Sequence, residues 1–497
     1  MALLKPPPDG VAIRMYRVGH GDCFLLAFHS DASGRPFYVL IDCGYKPGST
    51  KFVHEKKPSD IVKHIADATN RTIDLFIVTH EHQDHVNGIS PHFHDFTIKR
   101  AWFAWTEDPT DDLANDLRRR HRDQLVGLLG ARNALALAAA DPDNDPTVQR
   151  LNGLLGLEWG GEDENPSAVL AAAGDPQKSV NKRSMKLVKD KASEHGPNRV
   201  RFLRPGIGPE VIPGTNGVRF YVLGPPRDEK LIEDEDPVGA EAFPSTHSNP
   251  FSFSAAAQSG LEQTPSPFAP KYWAVKETSE HYVAFYGSPG TGVNDSDGIE
   301  ALKDAEWRRI DEAWLHAAEG LALKLNTGIN NTSLVLAFEL PKSRKVLLFV
   351  GDAQRGNWAS WANQTWDDQG HEVTAKDILA RTVLYKVGHH GSHNATLAGN
   401  PEDPHPNLSW MGIGQYSHEF TAMITAVNSW AEGQKPPWHH PLRSIKDVLL
   451  RKAQGRVFQT DEEISRQPEG MSDSEWQRFQ KSATFEELFF DYQLFDK

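Results

Sequence analysis

The segment Asp74-Leu75-Phe76-Ile77-Val78-Thr79-His80-Glu81-His82-Gln83-Asp84-His85 decides how the rest of the chain is read. Its first half, DLFIVT, is a short apolar run of the kind that forms a buried strand. Its second half packs His80, His82, Asp84 and His85 into six residues. In an extended loop His80 and His82 point to one side, while Asp84 and His85 follow at once and can turn toward a second ion. Imidazole and carboxylate ligands without thiolate suit zinc, manganese or iron, and the spacing alone does not choose among them.

Outward from this segment, Val11, Ile13 and Met15 alternate with Ala12, Arg14 and Tyr16, a period-two strand pattern. Strands are predicted at 23–28 and 37–41, with a turn at Asp31-Ala32-Ser33-Gly34 between them. Residues 60–68 read as a helix behind Ser59, with Ile61, Val62 and Ile65 on one face. Strands beside covering helices predict a layered α/β architecture. Residues 105–205 show no strand pattern; they are Ala/Leu-rich and charged, and include Arg118-Arg119-Arg120-His121-Arg122. A strand returns at 218–223, residues 227–295 are rich in Pro, Ser and Gly, and 300–325 has helical spacing. Three strands then crowd together at 333–340, 345–350 and 382–387, followed by a helix near 444–452 and a strand at 456–459.

Composition narrows the class. The chain of 497 residues has 39% apolar residues, ample for a core, and no apolar run long enough to span a membrane. Two cysteines, Cys23 and Cys43, cannot staple so long a chain, and MALLKPPPDG has no apolar signal core. A cytoplasmic location is the expectation. The net charge of −14 argues against indiscriminate coating of nucleic acid, though not against a local basic groove.

The motif HxHxDH after a strand resembles the signature of the metallo-β-lactamase superfamily. Val18-Gly19-His20-Gly21-Asp22 and Leu40-Ile41-Asp42-Cys43-Gly44 resemble segments of the soluble domain of ComEC-type DNA-uptake proteins and their free-standing relatives. Asn330-Asn331-Thr332-Ser333-Leu334-Val335, Val350-Gly351-Asp352, Lys386-Val387-Gly388-His389-His390-Gly391-Ser392 and His440-Pro441 are similar to later motifs of that group, in the same order. The resemblance implies an αββα sandwich with two large insertions. Residues 1–104 and 321–465 would be its halves, 105–205 a mostly helical insertion, 206–226 a return strand, 227–320 a second insertion and 466–497 a C-terminal tail.

Carried over, the resemblance implies two divalent metal ions, zinc with manganese as the alternative. His80 and His82 would hold one, Asp84, His85 and His390 the other, and Asp352 would bridge. Asp84 and Asp352 would thereby serve catalysis, with His389 facing substrate and His440 contacting the phosphate or leaving group. Asp22, Asp42, Asn331 and Ser392 would support the ligands. Asn331 stands where many superfamily members place a third histidine for the first ion.

The implied activity is hydrolysis by metal-activated hydroxide, with phosphodiesters, and so nucleic acid, as the leading substrate. Between 178 and 204 there are nine basic residues against two acidic ones, and Lys182, Arg183 and Lys186 are the candidate phosphate contacts. The alternatives are a hydrolase of a small-molecule or modified phosphoester, lactone or lactam, and a metal-stabilised binding or regulatory module with little turnover.

Overall fold

Runs such as Phe37–Ile41, Val346–Phe349 and Thr382–Lys386 are mostly apolar and buried at every position, as strands covered on both faces must be. The computed structural model describes residues 3–31, 34–138, 141, 146–159, 179–244, 328–434 and 437–497. In it these runs lie within two mixed sheets. The first has eight strands in the order Ala483–Phe485, Phe489–Phe495, Gly10–Tyr16, Phe24–Phe28, Phe37–Ile41, Leu75–Ile77, Ala101–Ala104 and Val200–Leu203. The second has seven, in the order Val457–Gln459, Thr421–Ile424, Thr382–Lys386, Val346–Phe349, Val335–Glu339, Arg219–Gly224 and Glu210–Val211.

Each sheet is antiparallel in one half and parallel in the other. Phe37–Ile41, Leu75–Ile77, Ala101–Ala104 and Val200–Leu203 pair in parallel, as do Val346–Phe349, Thr382–Lys386, Thr421–Ile424 and Val457–Gln459. Alternation along the strands sorts side chains into layers. Val11, Ile13, Phe24, Leu26 and Val39 of the first sheet share one core with Phe220, Leu336, Leu347 and Phe349 of the second. The first sheet's other face takes Leu25, Leu40 and Phe76 against Ile61 and Ile65 of helix Pro58–Thr69 and Val188 of helix Val180–Ser193. The second sheet's other face takes Val346 and Leu348 against Trp358, Ile378, Ile445 and Leu449, all on helices. The architecture is mixed α/β, and no described helix is long and apolar enough to cross a membrane.

Two boundaries differ from the expectation. Residues 105–205 contain the helices Asp112–Ala138, Pro146–Trp159 and Val180–Ser193. Val200–Leu203, however, is an edge strand paired with Ala101–Ala104 over four residues, so the strand-free stretch ends before residue 200. Residues 466–497 are no tail. They supply the helix Asp473–Ser482 and two strands, one of which pairs with Gly10–Tyr16 at seven positions. The helix expected at 300–325 and most of the stretch 227–320 lie outside the described residues.

One buried histidine on the helix Pro58–Thr69 makes the fold sensitive to acid. His64 Nδ1 lies 3.2 Å from Tyr16 Oη, and its ring packs against Phe489. Burial, with help from Arg14, pushes its pKa down to about 4, against 6.5 in a free imidazole. Because the folded state binds the proton more weakly, this stability is complete above about pH 6.5 and is lost as pH falls toward 4. The separation of the two values corresponds to about 3 kcal/mol, and solvent screening of the partly buried ring reduces the loss to on the order of 2 kcal/mol. His64→Phe should flatten the stability–pH curve between those limits in urea titrations, and an unchanged slope would contradict the assignment.

Candidate metal centre

The carboxyl ends of the parallel strands carry the polar residues. Leu75–Ile77 leads to His80, Phe37–Ile41 to Asp42, Val346–Phe349 to Asp352, Thr382–Lys386 to His389 and His390, and Thr421–Ile424 to Thr425. Ligand sites of parallel α/β sheets form at these ends. Two glycines let the loops approach backbone to backbone. A Cβ on Gly21 would stand 2.4 Å from Gly44 O, and one on Gly44 would stand 2.4 Å from His85 N. The bonds Asp22 N to Asp84 O (2.9 Å), Cys43 N to His85 O (2.8 Å) and Gly44 N to Asp22 O (3.0 Å) then tie three loops together.

Asp84, His85, Asp352 and His390 form one buried group whose donor atoms all lie within 4.8 Å of one another. His390 Nε2 stands 3.2 Å from Asp84 Oδ2 and 3.6 Å from Asp352 Oδ2, and His85 Nε2 stands 3.2 Å from Asp352 Oδ2. On their far sides, His85 Nδ1–H donates to Asp42 (2.8 Å) and His390 Nδ1–H donates to the Thr425 carbonyl (3.0 Å). Such outer acceptors fix tautomer and ring orientation in metal-binding histidines. His80 and His82 form a thinner group. His80 Nε2 lies 3.1 Å from His82 Nδ1 and 3.9 Å from Asp352 Oδ2. Thr79 Oγ1 donates to Asp42 Oδ2 (2.6 Å) and can accept from His80 Nδ1–H (3.1 Å).

A divalent cation fits these residues. Among the described residues, buried atoms without a hydrogen-bond partner include Asp84 Oδ1, His85 Nε2 and Asp352 Oδ1. Buried polar atoms are seldom left so. Four buried carboxylates (Asp22, Asp42, Asp84, Asp352) face two buried ammonium groups (Lys46, Lys386), an excess of two negative charges. Burial opposes the charge on Asp352, but the imidazoles of His85, His390 and His389 and the ammonium of Lys386 outweigh it and hold the carboxyl well below its usual range.

Placement of the remaining residues is uneven. Asp22 accepts from Lys386 Nζ (2.5 Å) and Thr425 Oγ1 (2.6 Å). His389 lies beside the buried group, not within it. Its ring is flanked by Asn330 Nδ2 (3.4 Å), Gln354 Nε2 (3.3 Å) and Ser392 Oγ (3.0 Å), and its side chain is 24% exposed against 1% for His390. Strand alternation is not what separates the two histidines. Both sit in the turn Gly388–Gly391 with positive φ, 38° and 54°. His440 lies 5.3 Å from His389 between ring centroids and stacks on the buried His20 at 5.5 Å.

Asn331 does not stand in for a histidine. Its Oδ1 accepts from Gln354 N and Asn357 N, and its Nδ2 donates to the carbonyls of Ile232 and Asp234, so the whole amide braces backbone. Four of the nine basic residues of this stretch pair with carboxylates of the chain. Lys186 pairs with Asp190, Lys189 with Glu107, Arg201 with Glu210, and Arg204 with Asp111. Lys182 lines an open cavity of about 590 Å³ with Arg118, Arg119, Arg122 and one acidic residue, Asp123, and Arg119 is paired with Asp116. Arg183 lies on the same helix as Lys182 and Lys186.

Sequence reasoning assigned no role to Lys46, Lys386, Asn330, Gln354 or Glu158. Lys46 Nζ stands 3.7 Å from Asp84 Oδ2. Burial alone would lower Lys386, but the Asp22 and Asp352 carboxylates raise it. A lysine directly after an apolar strand and before His-His was the one available signal. No protein-family model matches the chain, and no curated protein matches it significantly.

Proposed function

We propose that the chain is a metal-dependent hydrolase of metallo-β-lactamase architecture that cleaves phosphodiester bonds. The observation that carries this reading is the buried group Asp84, His85, Asp352 and His390, with its orphaned donor atoms and its outer acceptors Asp42 and Thr425. Those four residues would hold one ion, and His80, His82 and Asp352 a second. Zinc and manganese both suit such donors. Two such ions supply Lewis acidity and an ionised water near neutral pH.

The chain's own residues do the rest. The Ser333 hydroxyl, accepting from Asp352 N at 3.0 Å, anchors the backbone that carries the central carboxylate, and the Lys386 ammonium stands 3.5 Å from Asp352 Oδ1. His389, the more exposed of the two neighbouring histidines, can offer an N–H to a leaving oxygen. His440 stands beside it to share that role. An anionic substrate is favoured, since two divalent cations would turn an excess of two negative charges into a positive centre. The cavity of Arg118, Arg119, Arg122 and Lys182 offers a place for further phosphates of a nucleic-acid strand. The neutralisation of Lys186, Lys189, Arg201 and Arg204 favours a second reading, a small phosphoester or another small ester as substrate.

Metal analysis together with turnover of single-stranded DNA, RNA and a chromogenic phosphodiester tests these readings. Zinc- or manganese-dependent cleavage that a chelator abolishes is the expected result. Metal uptake without turnover of any of the three would leave a binding module instead. On nucleic acid, Arg122→Ala with Lys182→Ala should reduce the log–log salt slope of binding by about 0.7 per lost phosphate contact. The chromogenic diester, which has no further phosphates for the cavity to hold, should be cleaved as before.

A further inference from the structure

Each histidine of the His80–His82–His85 segment, and His390 with them, turns one nitrogen toward its neighbours in the centre and the other outward. Three of the outer nitrogens meet acceptors from the two sheets and their connecting loops: Thr79 Oγ1 for His80, Asp42 for His85 and the Thr425 carbonyl for His390. His82 is the exception. Its Nδ1 faces His80 Nε2, and its Nε2 faces Glu158 Oε1 at 3.5 Å. Glu158 belongs to the helix Pro146–Trp159, within the stretch inserted between the strands Ala101–Ala104 and Val200–Leu203.

The contact is built rather than incidental. Glu158 is 8% exposed and His82 2%. The other carboxylate oxygen, Glu158 Oε2, faces His121 Nε2 at 3.5 Å, from the helix Asp112–Ala138. A third inserted helix, Val180–Ser193, supplies the fully buried Asn181. Its Nδ2 donates both to the carbonyl of Glu81 (3.0 Å), between the two histidines, and to the carbonyl of Glu158 (3.1 Å). Three inserted helices thus converge on the His80–His82 loop.

We infer that Glu158 is a positioning residue for His82, and that the inserted helices are part of the metal centre itself. The inference rests on the metal reading proposed above. Glu158 Oε1 and His82 Nε2 face each other at 3.5 Å, both buried and neither with a completed hydrogen bond; closing that gap so that the carboxylate accepts from Nε2–H would leave Nδ1 as the lone-pair nitrogen beside His80 Nε2. His121 Nε2, 3.5 Å from the second oxygen, limits how far the carboxylate can turn. This support bears most on the thinner half of the centre, where Asn331 is spent on backbone and the donors are few. Losing such an outer partner weakens metal affinity by about 10- to 100-fold in comparable sites.

The test is zinc binding by the full-length protein, titrated against a competing chelator, with cobalt(II) absorption as an independent report on imidazole coordination. The wild type should take up two ions. Glu158→Gln, which keeps size but not charge, and Glu158→Ala should retain one tight ion. The second should be weakened about 10-fold or more, with an altered cobalt spectrum. Thermal unfolding of the metal-free protein should be unchanged in Glu158→Gln, which separates positioning from a merely structural role and keeps the test intact should the alanine variant fold poorly. Two ions bound with wild-type affinity in Glu158→Gln would overturn the inference while leaving the metal reading in place. A wild type that binds no zinc would overturn both.

Discussion

Asp352→Ala is expected to abolish metal-dependent turnover, by on the order of a thousandfold or more, while leaving a folded protein. Asp352 Oδ2 stands within 3.9 Å of the imidazoles of His80, His85, His389 and His390, whereas among the described residues Asp22, Asp42 and Asp84 come within 4.0 Å only of His85 or His390. The fold survives because Lys386 is not stranded. Its ammonium keeps Asp22 at 2.5 Å and the Gly351 carbonyl at 2.8 Å when Asp352 is removed. A ligand bound at 100 times its Kd stabilises the native state by about 2.7 kcal/mol. Wild-type melting temperature should therefore rise with zinc or manganese, and that of Asp352→Ala should hardly respond. Asp84→Ala should lose turnover alike through the loss of Asp84 Oδ2 beside His390, with lower stability as well, because it removes the carboxylate 3.7 Å from the buried Lys46 ammonium. Normal metal content with normal turnover in either variant would contradict the assigned roles.

What could be read from the sequence was whatever depended on short-range pattern. The six residues His80 to His85, and the polar residues placed directly after apolar strands, were visible because a strand end puts its next residues at a sheet edge. Asp352, His389 and His390 follow that rule. What escaped was set by contacts between distant segments. Glu158 reaches His82 only because three helices pack onto one loop, and nothing in its own neighbourhood of residues marks it. Lys46 and Lys386 carry no role in the sequence reading, yet they are 5% and 1% exposed, with Asp84 beside Lys46 and Asp22 and Asp352 beside Lys386. Asn331, expected to support the ligands, has its amide taken up by two backbone N–H groups and two carbonyls. The run of positive charge was countable, yet its neutralisation by Asp190, Glu107, Glu210 and Asp111 was not.

The C-terminal strand was legible and was passed over, and its removal should have the largest effect on stability. Phe489–Phe495 alternates in burial, with Phe490, Tyr492 and Leu494 inward, the period-two signal of a half-covered strand. Its partner is the first strand of the chain, Gly10–Tyr16, so no local turn announced the pairing. Deleting residues 483–497 would withdraw Phe490, Tyr492 and Leu494 from the core between the sheets, at about 1.5–3 kcal/mol each. It would also leave Arg14, 7% exposed, without the two bonds to Asp491 at 2.7 and 2.6 Å, and a buried charge stripped of its partner costs about 3–5 kcal/mol. Lys345 would lose the Phe495 carbonyl, and the backbone of Lys342 and Ser343 would lose Asp496, so the second sheet is loosened as well. These losses together reach the 5–15 kcal/mol that holds a typical domain folded. The truncated chain should show no cooperative unfolding transition and bind no metal ion, whereas Asp491→Asn, which keeps the strand and weakens only the pair with Arg14, should unfold cooperatively at lower urea. A truncated protein that melts cooperatively near the wild-type temperature would mean that the strand at Gly10–Tyr16 stands without its neighbour.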